Sequence, residues 1–285
     1  MNRTVLKGTL RRVSKRCFGW GEPLMIRALS LLIATQCGLA CAKTGEDGAV
    51  RQSADEAEQS SPVAKPEIFI AGGAGYRRPL DTLKAMYEKD HSAIVNCIYG
   101  NMKQVTAQVK NSKKVSLVVG DAKFLDKSGI PFVKRAGIGK GRLVLAFDKS
   151  LAIARIEDLE RDDIERVILP DAKKAIYGKA AHEVLERRAL YTRLERKLIV
   201  VQTVPQVTAY LMSGTAKVGF LNRTDFLSLD PARFAALEVD QTDYSPIAIE
   251  AALTREATDE GTRFFAYLGG DAARRVFSTY GLGPK

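Results

Sequence analysis

A two-lobed α/β fold with largely parallel sheets is what this 285-residue chain predicts, and three observations carry that expectation. Short β-branched runs alternate with helix-period patterns along most of the chain, which is the signature of βα units around parallel sheets. The series restarts after Phe147-Asp148-Lys149-Ser150 with a second set of apolar runs and its own core. The 46% hydrophobic content is enough to bury both sets.

The expected strands are Ile68–Ala71, Ala93–Ile98, Val115–Gly120, Arg142–Phe147, Val167–Leu169, Leu198–Val201 and Val218–Leu221. Between them, Pro79–Asp90 places Leu80, Leu83 and Tyr87 on one helical face, and Met102–Lys110 does the same with Met102, Val105 and Val109. Tyr244–Ile249 reads as a further extended run, and Thr258–Leu268 and Asp271–Tyr280 as two closing amphipathic helices. Two crossovers between two lobes imply a hinge, with a ligand in the cleft. The expected segments are a leader over 1–42, a tether over 43–65, a first lobe over 66–147, a second over 148–244, and a return to the first over 245–285.

The leader reading rests on Met25-Ile26-Arg27, the apolar stretch Ala28–Ala34 and the small residues Gly38-Leu39-Ala40-Cys41-Ala42. A charged start, a short apolar core and Ala-x-Ala make an export signal, too short and interrupted for a membrane span. Cleavage after Ala42 gives a soluble product. Lipidation of Cys41 is the alternative, although Gly38 stands where a lipobox has leucine. Residues 1–24 fit either a start at Met25 or a twin-arginine leader using Arg11-Arg12. Lys43–Lys65 is polar, small and charged, with almost nothing to bury.

The formal charge of +11 comes from 44 Lys plus Arg against 33 Asp plus Glu. It suits an anionic ligand, but the basic residues are scattered among acids and form no block of the kind nucleic acid attracts. Cys97 is the one cysteine in the folded part and reads as a small apolar residue without an internal disulfide. His91 and His182 stand apart from cysteines and carboxylates, so neither a metal centre nor a histidine triad is visible. Gly139-Lys140-Gly141 lacks the earlier glycine and the following hydroxyl of a phosphate loop. Asp162-Asp163, beside Arg161 and Arg166, reads as a solvated turn. No catalytic constellation emerges.

The sharpest functional signal is Ala71-Gly72-Gly73-Ala74-Gly75-Tyr76-Arg77-Arg78-Pro79-Leu80, directly after Ile68-Phe69-Ile70. A strand that ends in small residues and enters a helix opened by proline gathers free N–H groups at the positive end of a helix dipole, a place that holds anions. Such glycines also serve tight turns and close packing alone.

With Ile98-Tyr99-Gly100-Asn101-Met102, Val118-Val119-Gly120-Asp121, Gly141–Leu145, Tyr177-Gly178-Lys179-Ala180-Ala181, Thr203–Val207 and Met212–Phe220 following in order, the chain from about Glu67 to Lys285 resembles the periplasmic molybdate/tungstate-binding proteins of ABC transporters. The resemblance implies a bilobal type II periplasmic-binding-protein fold, no enzymatic activity, no cofactor, a monomer outside the cytoplasm, and an ABC permease as partner. Membrane contact would come only through a lipid on Cys41. It implies a ligand site at Ala74, Gly75, Tyr76, Asn101, Met102, Tyr177, Val204 and Asn222, with Arg77, Arg78 and Lys103 near it. The chain departs from the family where Ala74-Gly75 and Met102 replace usual hydroxyl residues and Asn222 replaces a tyrosine. Anion binding by backbone and amide donors survives those departures, whereas the choice of molybdate over a phosphonate, sulfate or small carboxylate does not follow from them. A sensor domain of the same fold is the further alternative.

Overall fold

The computed structural model describes residues 64–283. The leader and most of the tether lie outside the described residues. The strands, in chain order, are β1 (Glu67–Gly73), β2 (Ile94–Gly100), β3 (Val115–Asp121), β4 (Phe132–Gly141), β5 (Leu143–Asp148), β6 (Val167–Pro170), β7 (Leu198–Val201), β8 (Val218–Asn222), β9 (Phe234–Glu238) and β10 (Ile247–Thr254). The α-helices are α1 (Arg77–Asp90), α2 (Met102–Asn111), α3 (Ala122–Asp126), α4 (Ile176–Arg187), α5 (Tyr191–Leu194), α6 (Val204–Met212), α7 (Arg223–Phe226), α8 (Asp259–Leu268) and α9 (Asp271–Thr279).

Two five-stranded sheets result, ordered β2-β1-β3-β10-β4 and β7-β6-β8-β5-β9. In each sheet four strands point one way and one runs against them, β10 in the first and β5 in the second. These two reversed strands are the ones that enter from the opposite lobe. The bilobal α/β architecture expected from the sequence is therefore the one observed.

The boundary of the first lobe differs from expectation. Leu143–Asp148 pairs with β8 and β9, so it belongs to the second sheet, and the chain changes lobes at Arg142 instead of after Phe147. The apolar run of β5 follows β4 without a loop, so the sequence has no break where the lobes change. The return crossing lies between β9 and β10, and the Leu143 N–H donates to the Tyr244 hydroxyl at 3.2 Å, tying the two crossings together.

The first sheet packs on α1 through Leu80, Leu83 and Tyr87, as the helical spacing required, and on α8 and α9 through Phe264 and Phe277. Its other face is covered by Met102, Val105 and Val109 of α2 and by Leu125, against Ala71, Val118 and Ala252. Each such fully buried side chain contributes roughly 1.5–3 kcal/mol. β3 is buried along its whole length, which is why all of it but Ser116 and the closing Asp121 is apolar or glycine. Gly139-Lys140-Gly141 is the end of an edge strand. A Cβ at Gly139 would lie 1.9 Å from the Leu282 carbonyl oxygen, which accepts from the Lys140 N–H at 3.0 Å. Gly139 thus admits the C-terminal segment, and Gly141 admits Tyr177 and Ile247. Arg161 pairs with Asp163 at the surface, as a solvated turn should.

Candidate functional site

The ends of β1 and β2 in one lobe and of β6 and β7 in the other all open toward the interlobe cleft, and each runs into a helix. A small cavity of about 30 Å³ sits where those helices start, more than the roughly 10–15 Å³ one water needs. Residues Gly73–Tyr76 and Gly100–Met102 line it from the first lobe, Ala175–Tyr177 and Thr203-Val204 from the second. Thus the starts of α1 (through the 3-10 turn Ala74–Tyr76), α2, α4 and α6 converge, two from each lobe. The first N–H groups of a helix lack intrahelical partners, and four dipoles with positive ends inward favour an anion.

Seven of the eight expected site residues line this cavity: Ala74, Gly75, Tyr76, Asn101, Met102, Tyr177 and Val204. Their donors are not all free. The Asn101 N–H donates to Gln104 Oε1 and Asn101 Oδ1 accepts from the Gln104 N–H, both at 3.0 Å, a reciprocal cap that holds the start of α2. The Met102 N–H donates across the cleft to the Lys174 carbonyl at 3.1 Å. At the start of α6 the Thr203 N–H donates to Gln206 Oε1 at 3.1 Å, and Pro205 has no N–H, which leaves Val204 as the inward donor of that turn.

Asn222 is the exception. It is fully buried but does not line the cavity. Its Nδ2 donates to the Gly75 carbonyl at 2.8 Å, and its Oδ1 accepts from the Asp225 N–H at 3.0 Å, capping α7. It is a latch between lobes, not a donor into the cavity. The role of Gly75 follows from this. A Cβ there would lie 2.7 Å from Asn222 Nδ2, so glycine is required for the approach of the second lobe.

The tyrosines contribute walls. Their rings lie 6.4 Å apart, and both hydroxyls are buried without a protein partner. Tyr177 Oη faces the crossing strand, where a Cβ on Gly141 would be 2.3 Å away. Burial pushes both phenols well above the usual range, and Asp121 and Asp225 reinforce the shift. One oxygen of each of these carboxylates is likewise buried and unpartnered. Burial raises Asp121 and pushes Asp225 up to about 7, against the opposing pull of the Arg78 guanidinium. Asp121, at the end of the buried run Leu117–Gly120, and Asp225, three residues after Asn222, were not picked out as site residues from the sequence. A carboxylate closing a continuous apolar run was the available signal.

Arg77 points outward, pairing with Asp81 at 3.2 Å, and Arg78 is exposed. Cys97 is half-buried and free, with its thiol raised by burial. His91 stacks on Tyr87 at 4.0 Å between ring centres, and His182 packs beside Tyr191. Among the described residues no group of three or more His, Cys, Asp or Glu side chains could hold a metal.

Two lobes that meet over a small cavity ringed by helix starts define a solute-binding clamp. Residues 68–283 match the family model described as bacterial extracellular solute-binding protein, and the chain belongs to that family. It is a binding protein, not an enzyme. The "Molybdate-binding protein ModA" of Rhodobacter capsulatus is 23% identical over 235 residues, covering 77% of this chain and 89% of that protein. Among solved structures, the Azotobacter vinelandii periplasmic molybdate-binding protein has a TM-score of 0.70 at 19% identity, covering 76% of this chain and 99% of its own. The sulfate-binding protein SubI from Mycobacterium tuberculosis H37Rv has a TM-score of 0.63 at 17% identity, covering 77% and 87%.

Proposed function

We propose that the protein is the substrate-binding component of an ABC transporter, and that it closes over a compact tetrahedral oxyanion, molybdate or tungstate, and presents the closed form to a permease. The observation that carries this reading is the convergence of four helix starts on one small cavity, two from each lobe. Neutral backbone donors in a site closed to water hold a desolvated anion well, because charge-assisted N–H···O bonds are the strong ones. Contacts made only when the lobes meet, such as Asn222 to Gly75, give the closed state its advantage. Ala74, Gly75, Tyr177 and Val204 are the residues around the anion, with Asn101 and Met102 shaping the loop between them.

A second reading, sulfate or another small anion such as a phosphonate or carboxylate, is supported by the donor set. Thr203 is the one aliphatic hydroxyl residue lining the cavity, so little beyond size separates one tetrahedral anion from another. A thermal-unfolding panel on the mature protein tests both. An anion at about 100 times its Kd adds roughly 2.7 kcal/mol of stability. Molybdate or tungstate is expected to give a larger shift than sulfate or phosphate. A shift with another anion and none with the metal oxyanions would reject molybdate and keep the receptor; no shift with any would reject the oxyanion reading, and a neighbouring permease and ATPase gene separates transport from a sensor role.

The signal-like segment Met25–Ala42 supports export, with a product that is soluble if cut after Ala42 and anchored if Cys41 is lipidated. Mass spectrometry of the mature N-terminus, with a salt wash of the membrane fraction, separates the two.

A further inference from the structure

Beside the cavity, and sharing Met102 and Ile176 with it, lies a much larger groove of about 590 Å³. The first lobe contributes Lys103, Thr106, Ala107 and Lys110 of α2 with Lys123, Phe124, Lys127 and Ser128 around α3; the second contributes Ala172, Lys173 and Lys179. Six lysines therefore ring one concavity. The lysine ion pairs among the described residues involve Lys84, Lys174 and Lys179, so Lys103, Lys110, Lys123, Lys127 and Lys173 have none. Carboxylates do stand near them, but Asp126 is paired with Arg135, Asp171 with Lys174, Glu183 with Lys179, and Asp121 caps α3 from below. Five ammonium groups without an ion pair in one groove repel each other and focus a positive field there, which Asp171 beside Lys103 and Asp121 beside Lys123 offset only in part.

The floor is apolar. Ile176 and Met102 are buried, Phe124 is half-buried, and the lysine stems add methylene surface. A volume of this size falls in the range of small-ligand pockets, roughly 300–1,000 Å³. We infer that this groove is a second binding site, built by both lobes, for a small organic polyanion: an apolar body carrying several sulfonate, phosphate or carboxylate groups. Charge complementarity selects the polyanion, and the floor selects the apolar body over an inorganic ion. The site goes beyond the oxyanion reading and does not depend on which anion the small cavity takes.

The probe is 8-hydroxypyrene-1,3,6-trisulfonate, a fluorescent aromatic plate with three fixed sulfonates, followed by anisotropy with the full chain at about 0.15 M ionic strength, where long-range attraction is largely screened. Saturable binding at one site per chain is expected. Lys110→Glu with Lys127→Glu, two lysines remote from the small cavity, should weaken it at least tenfold, and Lys173→Glu from the other lobe should weaken it as well. Lys89→Glu with Lys114→Glu makes the same change of charge elsewhere on the surface and should leave binding within twofold. Equal weakening by the control pair, no weakening by the groove pair, or indifference to Lys173 would each overturn the inference. The molybdate thermal shift of the groove pair, measured in parallel, reports separately on the oxyanion reading and on folding.

Discussion

Replacing Gly75 by alanine tests the clamp where the two lobes touch. The added Cβ would lie 2.7 Å from Asn222 Nδ2, the atom that donates to the Gly75 carbonyl at 2.8 Å. Asn222 cannot retreat freely, because its Oδ1 caps α7 through the Asp225 N–H at 3.0 Å. The substitution therefore breaks the latch and leaves an amide and a carbonyl unsatisfied, which costs about 1–3 kcal/mol. Because the bond exists only when the lobes meet, the whole cost falls on the closed state, and the Kd for the oxyanion should rise about 5- to 150-fold. Gly75→Val should be worse. Asn222→Asp removes the donor while keeping an acceptor for the cap, and should reproduce the alanine result. Arg77→Ala is the contrast: its 3.2 Å pair with Asp81 is exposed, and such pairs are worth about 0–1 kcal/mol, so binding should stay within threefold. Calorimetric titration of each variant, with the unliganded melting temperature as control, decides the matter. A Gly75→Val protein that binds like the parent, or an Arg77→Ala protein that does not bind, would refute the latch.

Three further outcomes follow from the same geometry. Asp225 is held near 7 in the folded protein against roughly 3.9 unfolded, so the folded form retains a proton that the unfolded form has lost and stability falls as pH rises between about 4 and 7; the Asp225→Asn protein should lack that slope in urea melts at pH 5 and 7.5 and be the more stable at the higher pH. Tyr177→Phe should change oxyanion affinity less than threefold, since the hydroxyl lies against the crossing strand, where a Cβ on Gly141 would be 2.3 Å away, and a tenfold loss by calorimetry would place it on the ligand. Gly139→Val should lower stability by more than about 2 kcal/mol in chemical denaturation, because its Cβ meets the backbone of Leu282, and an unchanged midpoint would mean that the C-terminal segment is not docked there.

Much of this fold is legible in the residues, and the exceptions have a common cause. All seven expected strands are present, each carrying an apolar run that is buried in the sheet or sits on an edge rich in valine and isoleucine. The two strands that were not expected, β4 and β9, are both sheet edges. β4 carries three lysines or arginines and three glycines, and β9 is alanine-rich, so neither shows the apolar alternation that marks a half-buried strand. At the site, the first loop and the helix starts were legible because small residues, prolines and caps have local meanings. Asn222 was placed in the site, but its bond to the Gly75 carbonyl was not legible, since that partner is 147 residues away and has no side chain to announce it. Asp225 was hidden for a related reason: its carboxylate lies against Gly75 of the first lobe, where a Cβ would be 3.6 Å from its Oδ2.

The reversed strand β10 has a consequence for how the molecule is made. It lies between β3 and β4, yet it comes from residues 247–254, near the end of the chain. Until that segment has been synthesised, the first sheet is split into β2-β1-β3 on one side and an unpartnered β4 on the other, with an exposed hydrogen-bonding edge on each. The second sheet has no such dependence, because β5–β9 are contiguous in sequence. A ribosome-bound or partly translocated chain can thus complete only the later lobe, while the lobe that begins with the glycine loop stays open. A topology in which the last strands close the first sheet makes that sheet's completion wait for the end of the chain, and its long-range pairing is the slow kind.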